Sequence, residues 1–347
     1  MDKHKFFASE KEVYDYFYPD AAQYRKLKEM HPIWRDKLMG YMTGKKTLPF
    51  TYDPFFKMVF NPENHADRLA DFLSTIIGEK VEFERVIPVE HVLHDGSSTV
   101  MMDILVKLKN GARANVEIQK NASDFPDERI SCYMADNVMQ EYEYARAQVK
   151  GKDFSYRDVS KVYTIVIYEN SKEKYKKLEP EGQYRHHGET KFDTGLELNL
   201  LDEYFIINLD IFKDKAYTRN KNKLNGWLWF LSTEDMEDVE RIVKAYPWLQ
   251  EIYEDIGANL RSPEEVLTMY SDTLRILGQN EMRFRMDELK QERDEAVQER
   301  DEAVQERDEA VQKLRERDAQ LESACNESER KIKALEEELA RLRRQQR

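Results

Sequence analysis

Cysteine, glycine and proline are scarce in this chain of 347 residues, at two, 12 and 10. Cys132 and Cys325 lie far apart and form no spacing pattern. That excludes a disulfide framework and a cysteine-based zinc site, and it makes a reducing, cytoplasmic setting the expectation. No apolar run approaches the roughly 18 residues that a membrane-crossing helix needs; the densest stretches, Trp227 to Leu231 and Tyr163 to Tyr168, are far shorter. The opening MDKHKFFASEKEV has no apolar h-region, so no signal peptide is expected. Neither G-x-G-x-x-G nor a Walker A pattern occurs, which leaves nucleotide binding by such loops unsupported. Positive charge is in deficit too: 55 Lys plus Arg face 68 Asp plus Glu, a net of -13, which excludes a uniformly basic nucleic-acid coat.

The charge and the aromatics are unevenly spread. From Glu281 onward there are 20 acids and 16 bases with a single aromatic, Phe284, whereas the rest holds nearly all of the 16 Phe, 19 Tyr and 4 Trp. The globular part therefore ends near residue 280. Beyond it the heptad QERDEAV repeats three times, at Gln291 to Val297, Gln298 to Val304 and Gln305 to Val311. Seven residues is the coiled-coil period. With Val297 at a, the register continues through Val304, Val311, Asp318, Cys325, Ile332 and Leu339. The d positions are Arg300, Arg307, Leu314, Leu321, Ser328, Leu335 and Leu342. The seam is weak in the repeat, where Arg occupies d, and firm in the last heptads. A homodimer through this coil is the expectation, and parallel pairing brings two reduced Cys325 together. A solvated single helix is the alternative. Upstream, Ser262, Pro263 and Glu265 predict an N-cap, a proline at N1 and a capping box, from which a helix runs to the end, whole or broken near Gly278.

Residues 1–48 are polar, aromatic and read as a helical extension punctuated by Pro19, Pro32, Gly40 and Gly44. Helical spacing returns at Ala66 to Ile77, with Gly78 as the stop. Strands are predicted at Val81 to Phe83, Val86 to Leu93, Lys161 to Tyr168 (KVYTIVIY, a buried central strand) and Tyr204 to Ile211. Helices are predicted after Pro126 to about Val149, at Leu224 to Leu231, and at Glu234 to Tyr246 capped by Thr233. Strands, helix, then strand indicate a mixed α/β sheet flanked by helices.

The informative stretch is Thr99 to Lys120, TVMMDILVKLKNGARANVEIQK, with Asn110-Gly111 marking a hairpin. A two-residue loop sets apolar positions across from polar ones. A three-residue loop, Lys109 to Gly111 with Gly111 left-handed, pairs Leu108 with Ala112, Val106 with Ala114, Ile104 with Val116 and Met102 with Ile118, all apolar. The buried face sets the register, so the three-residue loop is predicted. Asp103 then faces Glu117, with Gln119 beside it and Asn115 and Arg113 nearer the turn. Opposed residues have Cβ atoms about 5 Å apart, where like charges repel unless a cation intervenes. Two readings stand at this point: a wet hairpin face, or carboxylates holding a hard divalent ion such as Mg2+, which binds through one or two carboxylates plus waters and phosphate.

An acid on one strand, a hairpin, and an acid-x-polar triplet on the next resemble the core of the PD-(D/E)XK nucleases. The closer resemblance is to their Rpn-like branch, the recombination-promoting nucleases or PD-(D/E)XK family transposases. The branch's E-x-Q is matched by Glu117, Ile118 and Gln119, and its upstream D-x-x-F-K-x-x-F by Asp53, Phe56, Lys57 and Phe60. KVYTIVIY, Asp193 to Phe212 and the heptad tail also look like the family, over roughly residues 49 to 280. The resemblance implies a restriction-endonuclease-like mixed sheet in a nuclease-like domain at 49–280; with the extension at 1–48 and the heptad coil at 281–347 the chain has three parts. It implies a DNA endonuclease using Mg2+ or Mn2+, with Asp103 and Glu117 as metal ligands, the Ile118 carbonyl as a third, and Gln119 where many relatives have lysine. Asp53 resembles the helical acid that completes such sites; from local sequence alone it reads as an N-cap before Pro54.

DNA affinity comes largely from phosphate neutralisation, so an acidic protein needs a local basic surface. Lys213, Lys215, Arg219, Lys221 and Lys223 supply one candidate, and Lys172, Lys174, Lys176 and Lys177 another. Arg129 and Tyr133, one helical turn apart, are placed to reach a phosphate. His186 and His187, being adjacent, read as surface residues. The alternatives to an enzyme are an inactive nuclease fold serving as a scaffold through its coil, and a transposition accessory that binds DNA ends without cutting.

Overall fold

The computed structural model describes residues 6–86, 90–92, 99–101, 104–121, 126–149, 153–178, 183–215 and 221–345. The chain divides into two compact units, Met1–Leu277 and Gly278–Arg347.

Three helices open the first unit: α1 (Glu10–Phe17), α2 (Ala21–Glu29) and α3 (Pro32–Met42). Local signals start each one. Ser9 accepts from the Glu12 N–H, Asp20 from Ala22 and Gln23, and Pro32 sits in the first turn of α3, where a missing N–H costs nothing. Helices α4 (Asp53–Phe60) and α5 (Ala66–Ile77) follow, and α5 ends at Gly78 with φ of 89°, as predicted. Then come β1 (Phe83–Val86), β2 (Glu90–Val92), β3 (Thr99–Met101), β4 (Ile104–Leu108), β5 (Arg113–Asn121), α6 (Asp127–Gln148) and β6 (Val162–Asn170). The order continues through α7 (Glu173–Lys176), β7 (Arg185–Glu189), β8 (Asp202–Asn208), α8 (Leu209–Lys215), α9 (Lys223–Ser232), α10 (Met236–Ala245), α11 (Leu249–Asn259) and α12 (Pro263–Gln345).

Six strands form one mixed sheet in the order β1-β4-β5-β6-β8-β7, and β2 pairs with β3 separately. The centre, β5-β6-β8, is parallel; β1, β4 and β7 join antiparallel. Parallel neighbours need a crossover, and α6 supplies it between β5 and β6. The KVYTIVIY run is the central strand, with Val162 to Tyr168 buried throughout. This is the restriction-endonuclease-like architecture, followed by a long C-terminal helix.

One face of the sheet carries Val106, Ala114, Val116, Ile118, Ile165, Ile167, Phe205 and Ile207. It packs on a core shared by α1, α3, α4, α5, α9, α11 and the start of α12. Phe56 and Phe60, the aromatics of the D-x-x-F-K-x-x-F element, are fully buried there; Phe60 lies 4.8 Å from Phe72 and 5.4 Å from Trp227 between ring centroids. Packing therefore accounts for those two aromatics. The Trp227 indole donates to Asp71 at 2.9 Å, satisfying its one buried donor.

Several boundaries differ from expectation. The strand predicted at Val81 to Phe83 lies at Phe83–Val86, and of the strand predicted at Val86 to Leu93 the described residues beyond Val86 are 90–92, which form β2. The strand predicted to reach Ile211 ends at Asn208, because its ladders with β6 and β7 run out at Tyr168 and Arg185, and Leu209 starts α8 instead. The helix predicted from Glu234 with Thr233 as its cap starts at Met236, with Asp235 in the N-cap position making no side-chain capping bond, while Thr233 ends α9 as its C-cap. Asp235 bridges Lys46 and the Glu234 carbonyl accepts from Thr47, which holds those residues out of helix.

The capping box at the start of α12 is present: the Glu265 N–H donates to Ser262 Oγ at 3.2 Å, and the Ser262 N–H to Glu265 Oε2 at 3.3 Å. The helix continues unbroken through Gly278. In the second unit, Gln298–Glu302, Gln305–Glu309 and Gln312–Glu316 bond at i,i+4. Val297, Val304, Val311, Leu314, Leu321 and Ile332 of the heptad seam are exposed in the single chain.

Candidate active site

The β4-β5 hairpin has the predicted register: Ile104 pairs with Val116 and Val106 with Ala114. The Leu108 N–H donates to the Ala112 carbonyl at 2.8 Å and the Gly111 N–H to the Leu108 carbonyl at 2.9 Å, closing a three-residue loop. Gly111 has φ of 90°, and a Cβ there would come within 2.7 Å of Ser160 Oγ, so both conformation and space call for glycine. The loop fixes which side chains share the second face of the sheet. Leu105 and Lys107 of β4 stand beside Asn115 and Arg113 of β5, and Glu117 and Gln119 stand beside Val166 and Tyr168 of β6.

That face is covered by α6 through Ile130, Tyr133, Met134, Asn137, Glu141 and Ala145. Leu105, Ile130, Tyr133, Val166 and Tyr168 make a small apolar cluster within it. The rest is polar yet buried. Glu117 is 1% exposed and accepts from Gln119 Nε2 at 3.4 Å, while Asn115, Asn137, Thr164 and Asn208 are sealed entirely. Toward the turn, Lys107 forms an ion pair with Glu141, Arg113 Nε lies 3.6 Å from Glu141 Oε2, and Arg113 donates to Gln140 at 2.8 Å. Burial pushes the Lys107 amine below its usual range, against the opposing pull of Glu141. A cleft of about 620 Å³ lined by Glu84, Lys107, Glu141 and Tyr144 opens at this end.

The Lys107–Glu141–Arg113 group is absent from the sequence-based site. Its signal was the stripe Tyr133, Asn137, Glu141, which at i,i+4 spacing follows the apolar residues of α6 into the interior.

At the other end of the face, Arg129 lies in the first turn of α6 and its Nε donates to Tyr133 Oη at 2.7 Å. The two side chains meet, with Arg129 exposed and Tyr133 itself buried at 3% exposure in the apolar cluster. Nearby, Lys172 and Lys174 both pair with Asp127, and Lys174 above all holds that carboxyl below the usual carboxylate range. Asp103 lies outside the described residues, and the described ladder begins at Ile104. Asp53 is the first residue of α4, not its N-cap: the Tyr52 carbonyl accepts from the Phe56 N–H at 2.8 Å, starting the helix one residue earlier and putting Pro54 second. The Asp53 side chain lies outside the described set.

The second basic stretch is partly engaged. Lys213 donates to the Ser232 carbonyl at 2.9 Å, and Lys223 pairs with Asp71, its amine 5.5 Å from the Trp248 ring centroid. Lys221 is exposed, Lys215 closes α8, and Arg219 lies outside the described residues. The histidines differ from each other. His187 is exposed, stacked on Phe205 at 4.6 Å, whereas His186 packs against Tyr175 and burial lowers its pKa.

Among the described residues no group of three or more His, Cys, Asp or Glu side chains could hold a metal, and no helix is long and apolar enough to cross a membrane. Glu117 and the amide of Gln119 are hard oxygen donors of the kind Mg2+ and Mn2+ accept, so the donor chemistry fits a divalent ion that a further carboxylate would complete. No curated protein and no solved structure matches the sequence. A family model described as PD-(D/E)XK nuclease family transposase matches residues 50–287, most of the chain and all of the sheet, and the chain belongs to that family.

Proposed function

We propose that this chain is a metal-dependent endonuclease that hydrolyses DNA phosphodiester bonds during recombination or transposition, acting as a homodimer through its C-terminal coil. The observation that carries the reading is the placement of Glu117: a carboxylate 1% exposed on the strand that bears the family's E-x-Q triplet, with Gln119 beside it on the same face. Asp103 and Glu117 would hold Mg2+, with the Ile118 carbonyl as a third donor, and Mn2+ suits the same oxygens. When bound, the ion would withdraw charge from a phosphoryl oxygen and lower the pKa of a water.

The chain's own residues divide the remaining work. Gln119, a neutral amide, orients by hydrogen bonding and takes up no proton. Asp53, at the start of α4, is the candidate third carboxylate. Arg129, steadied by Tyr133, offers a guanidinium to a phosphate oxygen. Lys172 and Lys174 at the same end of α6 add positive charge, and Lys213, Lys215, Arg219, Lys221 and Lys223 form a second basic stretch for the DNA backbone.

Plasmid cleavage with Mg2+, Mn2+ or EDTA, beside Asp103→Ala and Glu117→Ala at equal concentration, tests the reading. Metal-dependent nicking lost in both variants supports it; nicking that survives Glu117→Ala sinks it. The seam supports the dimer, since Val297, Val304 and Val311 expose about two fifths of their surface at one position of the heptad. Val304→Asp with Leu321→Asp is expected to weaken the dimer, raising the concentration at which light scattering gives the dimer mass.

A further inference from the structure

Every residue from Glu189 to Leu200 is exposed. Within that stretch Leu196, Leu198 and Leu200 present 54, 52 and 39% of their surface. Glu197 and Asn199 alternate with them, and residues 196–200 carry no turn or bend, so on pairing as a strand the three leucines would share one face and the two polar residues the other. Gly195, with φ of 75° and its N–H on the Phe192 carbonyl at 3.0 Å, turns the chain into the segment. Leu201 anchors the far end, its carbonyl accepting from the Val162 N–H at 2.7 Å. Between these anchors, residues 196–200 make no backbone hydrogen bond among the described residues. Unpaired peptide groups beside alternating leucines are a template for strand pairing with another chain.

We propose that this segment pairs with the same segment of a second copy, antiparallel about a two-fold axis through Leu198. The charge pattern selects both occupant and orientation. Antiparallel pairing centred on Leu198 sets Leu196 opposite Leu200 and Glu197 opposite Asn199, each twice, so every carboxylate meets an amide that donates to it. Parallel in-register pairing sets Glu197 against Glu197. A slip of one residue sets leucine against the polar positions. The self-complementary arrangement is that of an isologous contact, which closes at two copies. The contact stands on the exposed segment alone and does not depend on the nuclease activity.

Cross-linking in the full-length chain tests it. Cys132→Ser and Cys325→Ser remove both native thiols, and Leu198→Cys or Leu196→Cys then introduces the sole one. Across an antiparallel dyad the two Cα atoms at 198 lie about 4.5–5.5 Å apart, within the roughly 4.4–6.8 Å of a disulfide. The two at 196 are offset by four residues, about 13 Å. Under oxidised glutathione, Leu198→Cys is expected to give covalent dimer at least about tenfold faster than Leu196→Cys. Adding Asn199→Glu, which brings a second carboxylate opposite Glu197, should slow it about fivefold, whereas Asn199→Gln should not. Equal rates at 196 and 198, no dimer at either, or indifference to Asn199→Glu would overturn the proposal.

Discussion

The two faces of the central sheet are made by the same strands and are built on opposite principles. On one, Val116, Ile118, Ile165 and Ile167 meet a continuous apolar core; on the other, Asn115, Glu117 and Thr164 alternate with them and are buried just as deeply under α6. A dry face gains from every methylene it buries, about 0.8 kcal/mol each. A buried polar face gains little net, because desolvation offsets its hydrogen bonds and ion pairs. The difference separates what holds the fold together from what the fold holds in place. The dry face explains why the sheet forms, and the polar face holds the E-x-Q residues Glu117 and Gln119, to which the proposed function assigns the chemistry.

Substitutions can break that contrast, and their expected effects fall in order. Glu117→Gln should reduce nicking by at least about a hundredfold. The same variant should keep its urea midpoint close to wild type, and a collapse of both together would show that Glu117 serves the fold alone. On the dry side, Phe60→Ala should cost about 3–5 kcal/mol in denaturant unfolding, with activity lost only as the protein unfolds.

Glu141→Ala leaves Lys107 and Arg113 buried without their carboxylate and should cost about 3 kcal/mol. Pairing Glu141→Leu with Lys107→Met should recover part of that loss, and a double variant worse than the single would argue against the ion-pair account. Ile165→Val should cost about 1 kcal/mol and leave nicking untouched.

The smallest effect concerns pH. Lys174, then Lys172, hold the Asp127 carboxyl below its ordinary value, so its contribution is present above about pH 4 and fades as pH falls through the depressed value. An acid titration of the unfolding midpoint should therefore fall less steeply in Asp127→Asn than in wild type.

Much of the fold was legible residue by residue. Gly111 and the alternation around it gave the hairpin register because a slip would have buried charge, and the structure has that register. Gly78 as a helix stop and Ser262 with Glu265 as a capping box were equally local. Strand and helix ends were less so. Asn208 ends β8 because two neighbouring ladders end there, and Met236 starts α10 because Asp235 bridges Lys46, nearly two hundred positions away in the chain. Of the predicted site, Glu117 and Gln119 share a face and Arg129 meets Tyr133. The Lys107–Glu141 pair escaped notice because each residue alone reads as an ordinary surface charge.

The sequence by itself determined the periodicities: which strand positions turn inward, where helices cap, and the seven-residue repeat of the tail. These depend on side chains a few residues apart, within reach of local sterics and hydrogen bonding. Only the tertiary structure decided that α6 closes over the polar face, turning Asn115, Glu117 and Thr164 from a wet strand surface into an interior. Desolvation depends on what packs above a group, and no window of sequence contains that neighbour.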